Sequence, residues 1–187
     1  MRYFELVDDM RILDRWELDS PLDKEGQEIW HGQFSRGTPL EVRTPASVPL
    51  YSPGRALDYM TTALGIPVVH AKVKDVVERL QIQEQVQFFP AAIEGQSDSY
   101  FLVNVLQVVR CIDDARCEAV FYYTEEDEEP ERVGEYRNVR GLRIDPSQVG
   151  DRHIFRPWGW QLAIIVSECV KEALDVAGIT GARFRDV

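Results

Sequence analysis

The chain is short of the residues that most catalytic and metal sites require. Its 187 residues include three histidines, His31, His70 and His153, each far from the others. None stands in an HExxH or other close ligand spacing, and the three cysteines, Cys111, Cys117 and Cys169, form no CxxC pair, so zinc ligation finds no support. Three cysteines cannot all pair within one chain; reduced thiols in a cytoplasmic protein are the economical reading. No GxSxG elbow and no glycine-rich phosphate loop is present. Arg36 and Gly37 are too little for a nucleotide motif, and Gly178, Ile179, Thr180 and Gly181 read as a helix stop and turn. Asp113 and Asp114 read as turn residues rather than a metal site. These absences leave no positive case for an enzyme, a metal or a cofactor.

Basic residues are also scarce. Lysine and arginine number 21 against 32 aspartates and glutamates, a net charge of −11. Such a surface repels nucleic acid and favours encounter with a basic partner. No apolar run approaches membrane-spanning length, and the opening MRYFELVDDM lacks the layout of a secretion signal, reading instead as a first strand. The expected location is the cytoplasm.

What is present argues for a folded globule. Hydrophobic residues make up 44% of the chain, with four tryptophans, and the length fits a single domain spanning 1–187, in which 1–50 is irregular and 51–187 is the regular core. The most legible stretch is 153–187. Residues 162–166 are apolar and partly β-branched, a buried strand. Ser167 is placed to cap a following helix, Glu168 lies at its positive end, and Val170, Ala173, Leu174 and Ala177 share one face. Gly178 suits the left-handed helix stop, Ile179 closes over the last turn, and a short strand carries Phe184 inward. The pattern recurs: Val69, His70, Val73, Lys74, Asp75, Val76, Val77 and Glu78 align with Val166, Ser167, Val170, Lys171, Glu172, Ala173, Leu174 and Asp175, while Ile82 matches Ile179 and Phe88 nearly matches Phe184. Such self-similarity predicts two pseudo-equivalent halves packed together, with His70 at a helix start.

Elsewhere the reading is coarser. Residues 2–7 form an expected edge strand, and 39–43 a short strand among Pro21, Pro39, Pro45 and Pro49. Trp16 and Trp30 are expected to pin this irregular region to the core. Residues 56–64 fit a short helix or a strand equally; 66–69 form a strand, 70–80 a helix, and 86–89 a strand stopped by Pro90. The long apolar run 100–112 is read as a strand with a bulge near Asn104, 119–124 as its returning hairpin partner, and 139–144 as another strand. The expected class is α+β, an antiparallel or mixed sheet with two similar strand–helix–strand units and few helices.

Two features suit binding. Glu125, Glu126, Asp127, Glu128, Glu129 and Glu131 fall within seven positions and cannot pack in a core; they form a solvated tip that would steer a basic partner. Trp158 and Trp160 flank Gly159 and would point the same way if the chain were extended there. Exposed, they would anchor an interface; buried, they are core packing.

Taken together, Pro67, Val68 and Val69 with their helix, the segment 86–90, the run 100–113, His153 through Arg156, Ile165 through Ser167 with its helix, and Gly178 through Phe184 resemble a myxobacterial-type immunity protein family of bacterial polymorphic toxin systems, first catalogued as a domain of unknown function. The likeness covers roughly residues 49–187. His70 departs from a serine common at the first helix start, and the run 125–131 looks like an embellishment of this chain. The resemblance implies an antitoxin that binds a cognate toxin, encoded by a neighbouring gene, and occludes its active site, with no catalytic residues to carry over. Residues 125–129 and 131 together with Trp158 and Trp160 are the candidate toxin contacts. A hydrolase without a recognisable motif and a homo-oligomeric interaction module are the alternatives.

Overall fold

The computed structural model describes residues 1–42 and 45–187. In chain order its strands and α-helices are β1 (Tyr3–Asp8), β2 (Glu17–Leu18), β3 (Ala46–Val48), β4 (Leu50–Ser52), β5 (Tyr59–Thr61), β6 (Pro67–His70), α1 (Ala71–Arg79), β7 (Val86–Ile93), β8 (Tyr100–Val105), β9 (Val108–Val109), β10 (Ala119–Tyr122), β11 (Tyr136–Arg140), β12 (Ile154–Pro157), β13 (Ile165–Ser167), α2 (Glu168–Val176) and β14 (Ala182–Asp186). The class is α+β, with mixed and antiparallel sheets.

Four strands and one helix make a unit that occurs twice. In the first, β5, β6, α1, β7 and β8 follow one another, and the strands lie side by side as β7-β8-β6-β5, all antiparallel. In the second, β12, β13, α2 and β14 are completed by β1 from the other end of the chain, giving β14-β1-β13-β12, again antiparallel throughout. β3 extends the first sheet beside β7, and β9 extends the second beside β12, each in parallel.

The correspondence reaches individual hydrogen bonds. The Ala71 N–H donates to the Ser99 carbonyl at 2.9 Å and the Glu168 N–H to the Arg2 carbonyl at 3.0 Å. The His70 N–H donates to the Asp58 carbonyl at 2.8 Å and the Ser167 N–H to the His153 carbonyl at 2.9 Å. Val69 lies opposite Phe101, and Val166 opposite Phe4. Lys74 and Lys171 pair with Glu78 and Asp175 one turn on and lie over the rings of Phe101 and Phe4. Both helices end with a six-to-one bond, Ile82 N–H to Val77 carbonyl at 3.3 Å and Ile179 N–H to Leu174 carbonyl at 3.1 Å. The left-handed residue in that motif is Gly178 in one unit and Gln81 in the other.

Burial follows from the spacing of apolar residues. Val73, Val76 and Val77 of α1 and Val170 and Leu174 of α2 pack with Val69, Val103, Phe4, Ile154 and Val166 into one core between the two units. Each sheet turns its other face to an irregular segment. Residues 9–42 and 45–52 leave β1 of the second unit and cover the first unit's sheet, burying Trp16, Leu18, Phe34 and Val48 against Val68 and Leu102. Residues 106–150 leave β8 of the first unit and cover the second unit's sheet, burying Val109, Leu142, Ile144 and Val149 against Tyr3, Phe155 and Ile165.

The units are clasped at Asp58. Its carboxylate accepts the Thr180 N–H at 2.9 Å, the Thr180 hydroxyl at 2.7 Å and the Lys72 ammonium at 3.1 Å. Burial raises this carboxyl's pKa, but the bonds from Thr180 and Lys72 outweigh it and hold the group below its ordinary value. Next to the clasp Gly181 has φ 87°, and a Cβ there would fall on the Tyr59 carbonyl oxygen. The sequence Gly178, Ile179, Thr180, Gly181 is therefore a helix stop, a core contact, a clasp and a close approach in succession.

Several expectations need correction. β1 is not an edge strand, because β13 and β14 flank it. Residues 39–42 form no strand, and Arg43 lies outside the described residues. Pro90 does not stop β7, which continues to Ile93; Pro90 precedes the first residue paired with β3, so its missing N–H breaks no ladder there. Of residues 56–64, Tyr59–Thr61 is strand. The run 100–112 breaks at Leu106 and Gln107, whereas Asn104 stays in register opposite Gln87 and donates to the Thr38 carbonyl at 2.9 Å. β10 returns not against β8, whose two sides β6 and β7 already occupy, but against β11. That partner spans Tyr136–Arg140 rather than 139–144, ending before Gly141. β13 starts at Ile165, and Leu162 lies outside in a turn, 80% exposed. Trp16 is fully buried as expected, but Trp30 is half exposed beneath the Arg36 guanidinium.

Candidate interaction surface

The acidic run lies on the segment that covers the second unit and the two tryptophans in the turn that follows β12, and the structure brings part of each together. β10 and β11 form a two-stranded hairpin whose tip spans residues 123–135. The root of the tip is fixed by Asp114, whose carboxylate accepts the Tyr136 hydroxyl at 2.6 Å and the Tyr122 hydroxyl as well. The two rings lie 4.9 Å apart. Burial and the bond to Asp114 push the Tyr136 phenol's pKa up, and the same bond raises Tyr122.

The acidic run divides in two. Asp127 accepts the Thr124 N–H and hydroxyl at 2.8 and 3.0 Å and pairs with Arg137 at 2.5 Å. The Thr124 bonds, aided by Arg137, hold its carboxyl below the usual range. Glu129 pairs with Arg132 at 2.9 Å, and that guanidinium lies 3.9 Å from the centre of the Tyr123 ring. Asp127 and Glu129 therefore brace the tip. Glu125, Glu126, Glu128 and Glu131 face solvent and form no ion pair among the described residues.

The tryptophans do not act as a pair. Gly159 has φ 76° and sits in a turn, so the stretch is not extended. A Cβ at Gly159 would lie 2.9 Å from the Tyr136 ring, so only glycine lets the turn lie this close to the hairpin. Trp158 is half buried beneath the Arg110 guanidinium, 3.2 Å from the ring centre. Trp160 turns the other way and stands between two grooves. One, about 240 Å³, lies between the tip and the turn and is lined by Tyr123, Arg132, Tyr136, Arg137, Trp160 and Leu162. The other, about 390 Å³, lies at the hairpin base beside Val139, Leu142, Arg143 and Arg185. Beneath the turn Arg156 is 3% exposed and donates to the Gln161 carbonyl at 2.5 Å; burial lowers its pKa to about 10. What results is a braced surface with an exposed leucine, a partly exposed tryptophan and an acidic rim, a composition that suits protein binding.

Sequence reasoning missed Tyr123, Tyr136, Leu162, Arg132, Arg137 and Asp114. Their importance comes from contacts across the hairpin and onto the turn, and no local spacing marks them. The histidines stand apart from this surface. His70 accepts the Lys72 N–H on Nδ1 at 3.1 Å and lies 3.8 Å from Asp58, which Thr180 and Lys72 already occupy. His153 Nδ1 meets the Ser167 hydroxyl at 2.9 Å. Among the described residues no three histidine, cysteine, aspartate or glutamate side chains converge to hold a metal ion, and no helix is long and apolar enough to cross a membrane.

A family model matches residues 1–187, the whole chain. The chain belongs to the Immunity protein family (Imm11). The match takes in β1 and the first cover, and so extends beyond the residues 49–187 on which the resemblance was drawn. No curated protein matches the chain. In this Imm11 fold the stretches that carried the resemblance are scaffold: β12, β13, the cap at Ser167 and the clasp around Thr180. His70, where a serine was expected, still caps its helix, through a ring nitrogen in place of a hydroxyl. Imm11 membership gives the protein a function in immunity.

Proposed function

We propose that the protein confers immunity without catalysis, by binding a cognate toxin in the cytoplasm through the hairpin surface and covering the toxin's active site. The observation that carries this reading is the juxtaposition of four unpaired glutamates on the tip with the groove under Trp160 and Leu162. Between residues 125 and 137 seven carboxylates stand against two arginines, a large share of the net charge of −11. Such a patch steers a basic partner and excludes acidic ones, while the aromatic and leucine side chains supply the apolar anchor. Bracing by Asp114, Arg132, Arg137 and Gly159 preorganises the surface and lowers the entropic cost of binding. Were the toxin a nuclease, the same carboxylates would compete with the phosphate backbone for its basic site.

The test is growth rescue. A susceptible host expresses the product of the adjacent upstream gene with the wild-type protein or with the combined variant Glu125→Gln, Glu126→Gln, Glu128→Gln, Glu131→Gln. Wild type restores growth and co-purifies with the toxin; the variant remains folded, and its association rate at low salt falls about tenfold or more. An association rate indifferent to both salt and the four substitutions would remove the electrostatic part of the proposal. A toxin that kills regardless of this protein would remove the whole.

A further inference from the structure

The hairpin presents a strand edge that the rest of the molecule leaves open. Among the described residues β10 pairs with β11 on one side and with nothing on the other. The Tyr123 N–H turns inward to the Glu135 carbonyl and the Tyr123 carbonyl accepts the Gly134 N–H, so the alternation of an antiparallel strand turns the Val120 and Tyr122 N–H groups outward. Val120 packs inward on the second unit's outer core, while Phe121 is 50% and Tyr122 38% exposed.

Other edges are closed or blunted. On β5 the Tyr59 N–H is taken by the Thr180 carbonyl and the Thr61 N–H by the Asp8 carboxylate. On β3 Ser47 exchanges two bonds with Leu22. β14 carries Arg183, Arg185 and Asp186, β11 carries Arg137 and Arg140, and β9 and β2 are two residues long. Charge and shortness are the usual protections of an edge, and β10, with the sequence Ala, Val, Phe, Tyr, has neither charge nor proline. Its protection lies beyond its ends, in exposed Glu118 on one side and Glu125 and Glu126 on the other.

We propose that β10 is a docking edge, to which a basic partner adds an extended strand whose apolar centre lies along Ala119–Tyr122 and whose lysines or arginines meet Glu118, Glu125 and Glu126. This deepens the toxin-binding reading and rests on it for the partner's identity: backbone pairing supplies affinity, and the flanking charges set which strands are admitted.

Amide hydrogen exchange of the full-length protein tests this with a blocked peptide of alternating lysine and valine, beside a control of alternating glutamate and valine. The expected result is at least tenfold slower exchange at Val120 and Tyr122 with the basic peptide alone, reversed by salt, and loss of the effect in Tyr122→Pro. Proline removes an outward N–H and so leaves the hairpin's own ladder intact. Unchanged exchange at both amides overturns the inference even if the peptide adheres to the acidic tip, and that measurement requires no variant. The same readings with the toxin separate the two claims. Toxin binding that needs the tip glutamates but is indifferent to Tyr122→Pro keeps the immunity surface and removes the strand edge. Protection by the peptide together with no toxin binding does the reverse.

Discussion

In the first unit α1 is capped by the His70 ring, and β5 places Asp58 beside that cap; in the second the cap is the Ser167 hydroxyl, and β12 places His153 beside it. The capping and partner positions are the same, and the chemistry differs. Apolar positions agree far more closely: Val69 with Val166, Phe101 with Phe4, Val77 with Leu174, Phe88 with Phe184. A packed core tolerates few volumes, whereas any side chain that offers an acceptor at the right distance can close a helix start. The widest divergence lies in the two covers. Residues 9–42 and 45–52 pack against one sheet, whereas residues 106–150 pack against the other and raise a braced hairpin from it. The parts shared by the two units build the scaffold, and the part that only one possesses is the surface proposed to meet the partner.

The comparison can be broken most severely at the clasp. Gly181→Ala puts a Cβ against the Tyr59 carbonyl at a left-handed φ and is expected to cost about 3 kcal/mol or more, with a correspondingly lowered Tm. Gly178→Ala, at a left-handed φ but with open space around it, is expected to cost only about 1 kcal/mol. Asp58→Ala strands the Thr180 N–H and hydroxyl and should cost roughly 2–3 kcal/mol by denaturant titration. Because the folded-state pKa of Asp58 lies below its unfolded value, its contribution is full above the carboxylate range and is lost as the pH falls below about 4. The gap between wild type and Asp58→Asn should therefore narrow as the pH falls below about 4.

Smaller effects sharpen the equivalence. Ser167→Ala removes a buried cap and the partner of His153 and should cost about 1–2 kcal/mol. His70→Ser, which installs the other unit's cap, should change stability by less than about 0.5 kcal/mol. Gln81→Gly installs the other unit's left-handed glycine and should stabilise by about 0.5–1 kcal/mol, since Gln81 holds φ 57° at its own expense.

The sequence disclosed what is local. Ser167, Gly178 and the apolar spacing of both helices act within a turn or two of themselves, so their roles could be read directly. The likeness of the two units was legible for the same reason. It stopped short at β1 and β8, because a strand's neighbours depend on pairing across the chain: Tyr3 lies opposite Ser167, and no nearby residue announces it. The acidic tip was visible as composition, but its division into bracing and free carboxylates depends on Arg132 and Arg137 across the loop. The condition set for Trp158 and Trp160, an extended chain, is not met, because the left-handed φ of Gly159 makes a turn there.

The first strand has one further consequence, and it concerns time. β1 is synthesised before the other strands described, and both strands that hold it, β13 and β14, come after nearly all of them. The first unit draws its five elements from one continuous stretch and can assemble from near neighbours, whereas the second must close a loop nearly as long as the chain. Folding is thus expected to proceed in two stages, with the first unit serving as the surface on which the second completes. A circular permutant that joins Val187 to Met1 and opens within the cover 9–52 would make β14 and β1 a hairpin, and should reach the native state faster without being much more stable.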